Sequence, residues 1–328
     1  MQPHPSPARA LPRRPPAFLA AAAAVLLALV LSGCGVRLES DPPPPLTPTA
    51  DELVRAATVA DVVGVRDLAR AALDDGATGA VATRLRAIVK QAGTQVTALG
   101  GVYDGPAPTT SPTASARATA TATTTTTKPT AAAVVRRLGA ASSAARGRLA
   151  DADDAHLARL VAQVGTSQDL SARALAAVAH VKAPATQAAR VTVPATLPEG
   201  ARATVAATVI EDEDAAGYLL EVVAARSSGA ARKETAARAA VHRARAQDWA
   251  TAAGVAGTDG DPRRTAYALP AKSVARTVES RLTTGYAALL DTLDPKGRAA
   301  VADLLADSAR AAVDAGAAIT ALPGGTPK

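Results

Sequence analysis

Glu213, His242 and Glu279 are the residues whose types and spacing could assemble a chemical site. Each sits beside an apolar stripe of helical period. Val205, Val209, Ala216, Leu220 and Val223 form one stripe. A step of three or four from Val209 lands on Asp212 or Glu213, inside the acidic run Glu211-Asp212-Glu213-Asp214. Ala239, His242, Ala246, Trp249 and Ala253 share a second face, and Trp249, the only tryptophan, draws that face toward a core. Ala275, Glu279, Leu282 and Tyr286 line a third. Charges taken out of water need partners, so the three groups could meet. Two chemistries then stand open. One is a salt-bridge or hydrogen-bond network, with Arg243 or Arg281 nearby, that sets helix register. The other is a mononuclear metal site. Periodicity also allows the acidic run to be a solvated patch with only its edge near the core.

A carboxylate-bridged di-iron centre asks for more. It needs a Glu from each of two helices and a Glu-x-x-His from each of two others. His242 is preceded three residues back by Ala239, and the last helical segment offers Asp303 and Asp307 but no histidine. No cofactor is expected, and a di-iron centre lacks its ligands. Asp153-Asp154-Ala155-His156 contains an Asp-x-x-His, but either aspartate there also suits a helix N-terminus. His180 suits the dipole at the end of the same helix. There is no Gly-rich phosphate loop, nucleophile elbow or HExxH. Composition permits a Ser-His-Asp triad, but no spacing marks one, so nothing identifies an enzyme.

The elements that must carry these residues read as helices throughout, and an all-α fold is predicted. Leu53, Val54, Ala57, Val62, Val65, Leu68 and Leu73 recur at helical spacing after Asp51, which can cap the first turn. Further helices are predicted to about 99, over 131–149, and over 153–181 with a break near Gly165. Four more are predicted over 201–226, 230–253, 271–293 and 295–322. This divides the chain into an N-terminal helical region (51–182), a Pro-bearing linker (183–200) and a C-terminal bundle (201–323). Short connections favour antiparallel neighbours, so the first region also reads as a four-helix bundle. It is interrupted by a Thr/Pro-rich insertion (104–130) that buries too little apolar surface to fold. That insertion is either O-glycosylated or a plain flexible loop.

The N-terminal 33 residues have the three parts of a secretory signal peptide. Arg9, Arg13 and Arg14 are followed by an apolar run from Phe18 to Leu31 and by small residues before Cys34. Arg13-Arg14 also fits a twin-arginine signal, although Pro15-Pro16 intervene, and the export route stays open. The prolines at 42 to 45 make residues 34–50 an extended tether. Cys34 is the only cysteine, so an intrachain disulfide is excluded. The 36 basic residues against 29 acidic ones include those three leader arginines, leaving 33 against 29, or +4, beyond the leader. Aromatic residues are 2% of the chain, too few for a base-stacking surface, so nucleic acid is not an expected partner.

The ending Leu31-Ser32-Gly33-Cys34 resembles the lipobox of bacterial lipoproteins. The resemblance implies cleavage before Cys34, diacylglycerol on its thiol and acylation (palmitate) of the new amino terminus. That would anchor the chain to the outer face of the cell membrane. Three other segments resemble the ferritin-like family of unknown function found in actinobacterial proteins: Glu213-Asp214-Ala215-Ala216-Gly217-Tyr218, His242-Arg243-Ala244-Arg245, and Glu279-Ser280-Arg281-Leu282 with Tyr286. Cys34-Gly35-Val36-Arg37-Leu38-Glu39 and Leu99-Gly100-Gly101-Val102-Tyr103 also look like its lipoprotein members. This implies a ferritin-like four-helix bundle over about 201–323 and supplies no activity. The expectation is a lipid-anchored, non-enzymatic binding or scaffolding module of the cell envelope, with another envelope protein or a wall polymer as partner. The alternatives are a metal-binding or redox protein with a degenerate site, and a carrier of a small apolar ligand.

Overall fold

Thr49, not Asp51, opens the first helix: its hydroxyl accepts the N–H of Glu52 at 3.2 Å. Asp51 instead reaches across to accept the N–H groups of Asp153 (2.7 Å) and Asp154 (3.1 Å), where another helix begins. A computed structural model describes residues 48–102, 128–185 and 191–325. The leader, Cys34, most of the tether and most of the Thr/Pro-rich insertion lie outside the described residues.

The described residues form eight α-helices and no strand: α1 (Ala50–Asp74), α2 (Gly79–Ala98), α3 (Ala131–Gly147), α4 (Ala155–Ala179), α5 (Ala203–Ala225), α6 (Gly229–Ala252), α7 (Val274–Leu290) and α8 (Pro295–Asp314). A 3-10 turn at Arg148–Ala150 follows α3. Asp154 caps α4 by accepting the N–H of His156 at 2.7 Å, and His180 ends it in the left-handed region at φ 53°. The expected break at Gly165 does not occur. That glycine marks close packing instead, because a Cβ there would stand 3.0 Å from Ala145 Cβ. α7 begins at Val274, after Ser273 in the left-handed region, and not at Ala271. No helix among the described residues is long and apolar enough to cross a membrane.

α1 packs on α2 and α3, and α4 packs on α3 and α2, around Val65, Leu85, Ile88, Val134, Leu138 and Leu175. α5 packs on α6 and α7, and α8 on α7, giving the C-terminal four-helix bundle. The two halves share one core, which joins Val62, Leu149 and Val161 to Val209, Tyr286 and Leu304. α4 is the hub, buried on almost every face and packed against α7 and α8. Arg298 seals the same seam. It is fully buried and donates to the carbonyls of Leu293 (2.9 Å), Ala152 and Asp153 (3.2 Å). Burial pulls its pKa down from the usual arginine value, against the pull of Asp294 and Asp51.

α8 stops at Asp314 and does not run on to Leu322. Gly316 takes φ +94°, and the N–H groups of Gly316 and Ala317 close back on Val313 and Ala312. The chain then runs between α2 and α4, where side chains read its carbonyls in alternation. Gln91 donates to Ile319 O (2.8 Å), Ser167 to Thr320 O (2.8 Å), Gln95 to Ala321 O (3.0 Å) and Gln163 to Pro323 O (2.9 Å). An extended backbone turns successive carbonyls to opposite sides. That is why α2 takes 319 and 321 while α4 takes 320.

Candidate functional site

α5 brings Glu213 into the C-terminal bundle, α6 brings His242, and α7 brings Glu279. All three are almost wholly buried, at 0%, 0% and 2% exposure. His242 sits between the two carboxylates, with Nδ1 2.5 Å from Glu213 Oε2 and Nε2 3.1 Å from Glu279 Oε1. Both ring nitrogens can donate at once only in the imidazolium form. Burial alone disfavours that cation, but the hydrogen bonds and charges of Glu213 and Glu279 outweigh it and raise the His242 pKa. For Glu279, burial pushes the carboxyl up, while His242 and Arg238 pull harder and hold it below its usual range.

The chain of contacts continues in both directions. The Tyr286 hydroxyl donates to Glu213 Oε1 and accepts from Trp249 Nε1 at 3.4 Å. Burial, then the Glu213 charge, holds the Tyr286 phenol well above its ordinary pKa. On the other side Arg238 forks onto Glu279 at 2.6 and 2.8 Å and reaches Asp307 on α8 at 2.7 Å. Arg245 Nη2 lies 2.8 Å from the same Asp307 oxygen. Arg238, His242, Arg245 and Trp249 recur at four, three and four residues, which is one face of α6. All four helices of the bundle are thereby tied together. With His242 protonated, the formal charges of Glu213, Glu279 and Asp307 cancel those of Arg238, His242 and Arg245.

The cations named from the sequence take other places. Arg243 lies round the helix from His242 and pairs with Asp214 (2.5 Å) and Glu221 (3.0 and 2.9 Å). Arg281, two residues past Glu279, faces away and sits 2.6 Å from Asp212 Oδ1, off the line of a hydrogen bond. The partners are Arg238 and Arg245, one turn either side of His242. Their spacing on the Trp249 face was the available signal.

The acidic run is not a solvated patch. Asp212, Glu213 and Asp214 are buried because α6, α7 and the segment after α6 cover α5, and each acid has its own partner. Glu211 meets Arg264 at 2.7 Å. Asp214 also accepts from Tyr267 at 2.8 Å, and burial with that contact pushes the Tyr267 phenol up to about 12. Burial raises Asp212 to about 6, opposed by Arg281 and reinforced by Glu211 and Glu213.

The donor set does not fit the di-iron centre of ferritin-like enzymes. One histidine is present where two are needed, and the Arg238 guanidinium is forked on Glu279, where a metal would add positive charge. Among the described residues no three His, Cys, Asp or Glu are grouped to hold a metal ion. The other sequence candidates do structural work. Asp154 caps α4, Asp303 is forked by Arg146 at 2.7 and 2.6 Å, and His180 is the α4 cap.

A family model described as a domain of unknown function (DUF4439) matches residues 203–327, the stretch that contains this network. Comparison with curated proteins and with solved structures gives no match.

Proposed function

We propose that the chain is a lipid-anchored, non-enzymatic binding or scaffolding module of the cell envelope, with a ferritin-like bundle at its C-terminal end. The observation that carries this reading is the closure of the polar network. Glu213, His242, Glu279 and Tyr286 are buried and already satisfied by one another, by Arg238 and by Trp249. No substrate can reach such a site without breaking it, and its formal neutrality suits a device that fixes helix register. The three-part leader ending at Cys34 supports the anchor, and another envelope protein or a wall polymer is the partner class.

Metal analysis of protein purified without chelator tests this, wild type beside His242→Ala. Sub-stoichiometric metal in both, with a lower melting temperature in the variant, is expected. Stoichiometric metal in the wild type that disappears in the variant would replace the structural reading with a metal-binding one. Cys34→Ala should release the protein from the membrane fraction, and retention there would remove the anchor.

A further inference from the structure

A cleft of about 280 Å³ opens between α3, α4 and α8, on the seam between the two halves and away from the His242 network. Its walls are made by Ser142, Ala162, Gly165, Ala302 and Ala306. These side chains are short, so the helices are held apart without filling the space. Charged pairs stand at two levels of α8. At Asp303, Arg146 makes a two-pronged contact that is formally neutral. Seven residues on, or roughly 10 Å along the helix axis, Arg310 meets Asp169 at 3.3 Å. Asp169 is already forked by Arg173 at 2.9 and 3.0 Å.

That second level holds two guanidiniums and one carboxylate. Asp307 lies 4.0 Å from Arg310 Nη1 but is committed to Arg238 and Arg245. Arg310 Nε is buried and has no hydrogen-bond partner among the described residues. A buried donor left unpaired is costly. One positive charge and one free donor therefore face a small, largely apolar space closed at its far end by a neutral ion pair.

We infer that this cleft binds a small amphiphile bearing a single carboxylate. The carboxylate sits at Arg310 and Arg173, and a short apolar body lies along Ala306 and Ala302. The site deepens the reading of the chain as a binding module but uses none of the network residues, so either can fail alone.

Octanoate labelled with carbon-13 at its carboxyl group is the probe, titrated into the full-length protein and followed by NMR. A saturable shift of the carboxyl resonance with one site per chain is expected. Arg310→Gln should weaken it about tenfold, the worth of one charge-assisted hydrogen bond. Ala306→Leu should abolish it by filling the space, with helix content by circular dichroism unchanged. Octanol and acetate should each bind at least about tenfold more weakly, since each lacks one of the two interactions. No saturable shift, undiminished binding in Ala306→Leu, or acetate binding as tightly as octanoate would overturn the inference.

Discussion

Gly217 lies directly beneath the side chain of Arg243: a Cβ at 217 would stand 2.7 Å from Arg243 Cδ and 2.8 Å from Cγ. Those atoms are mid-chain, so Arg243 could not yield without losing Asp214 or Glu221. Alanine in a helix interior gains up to about 1 kcal/mol over glycine, but overpacking costs about 1–3 kcal/mol. Gly217→Ala is expected to destabilise by about 1 kcal/mol in urea unfolding. A more stable variant would show that Arg243 moves freely.

His242→Ala leaves two buried carboxylates facing a void. Breaking a buried ion pair by removing one partner costs about 3–5 kcal/mol, and the loss should appear in the denaturant midpoint. A loss within the range of a surface substitution would mean that water enters and the network does not hold the helices.

The pH dependence has a defined window. His242 is raised above its ordinary 6.5, so its contribution is complete below that value and is lost as pH rises through the folded-state pKa. Glu279 is lowered from 4.5, so its contribution is complete above 4.5 and is lost as pH falls through the folded-state pKa. Together they give full support between about pH 4.5 and 6.5. Melting temperatures across pH 3 to 9 should show this plateau, and Glu279→Gln should remove its acid shoulder.

Asp212 works in the opposite sense. Its pKa is raised from 3.8 to about 6, so the folded state holds a proton that the unfolded state has lost, and stability falls as pH climbs from 3.8 through 6. Asp212→Asn removes that penalty at little cost to Arg281, whose side chain is 60% exposed. The variant should be about 1–2 kcal/mol more stable than wild type at pH 8 and equal to it at pH 3. Equal stability at both pH values would mean that Arg281 compensates fully.

The helices were legible because their apolar residues recur at three and four. The same period placed Glu213, His242 and Glu279 beside the core. It could not choose their cations. Arg243 and Arg281 are adjacent in sequence, but a helix turns adjacent residues away from one another, and the pairing falls to residues one turn off. The solvated reading of Glu211 to Asp214 failed for a related reason. One helix's own stripe does not reveal that its neighbours cover the remaining faces. The end of α8 was hidden because the contacts that divert the chain are to carbonyls of residues 319 to 323, which no side chain there advertises. The cleft needs three helices to exist and has no local signature.

The tail offers a further test. Gly324 takes φ +74°, and a Cβ there would fall 2.5 Å from Thr283 O. Gly324→Ala should therefore cost more than about 2 kcal/mol through strain and clash. An unchanged melting temperature would show that the segment is only loosely laid down.

The clasp also sets an order of events. Gln91, Gln95, Gln163 and Ser167 belong to the first half of the chain, yet their amides and hydroxyl find their acceptors only in residues 319 to 323. Until those residues leave the ribosome, the N-terminal helices have unpaired polar groups along the groove between α2 and α4. The earliest half of the molecule to be synthesised thus waits for the last residues before it can complete its own hydrogen bonding, and folding becomes post-translational.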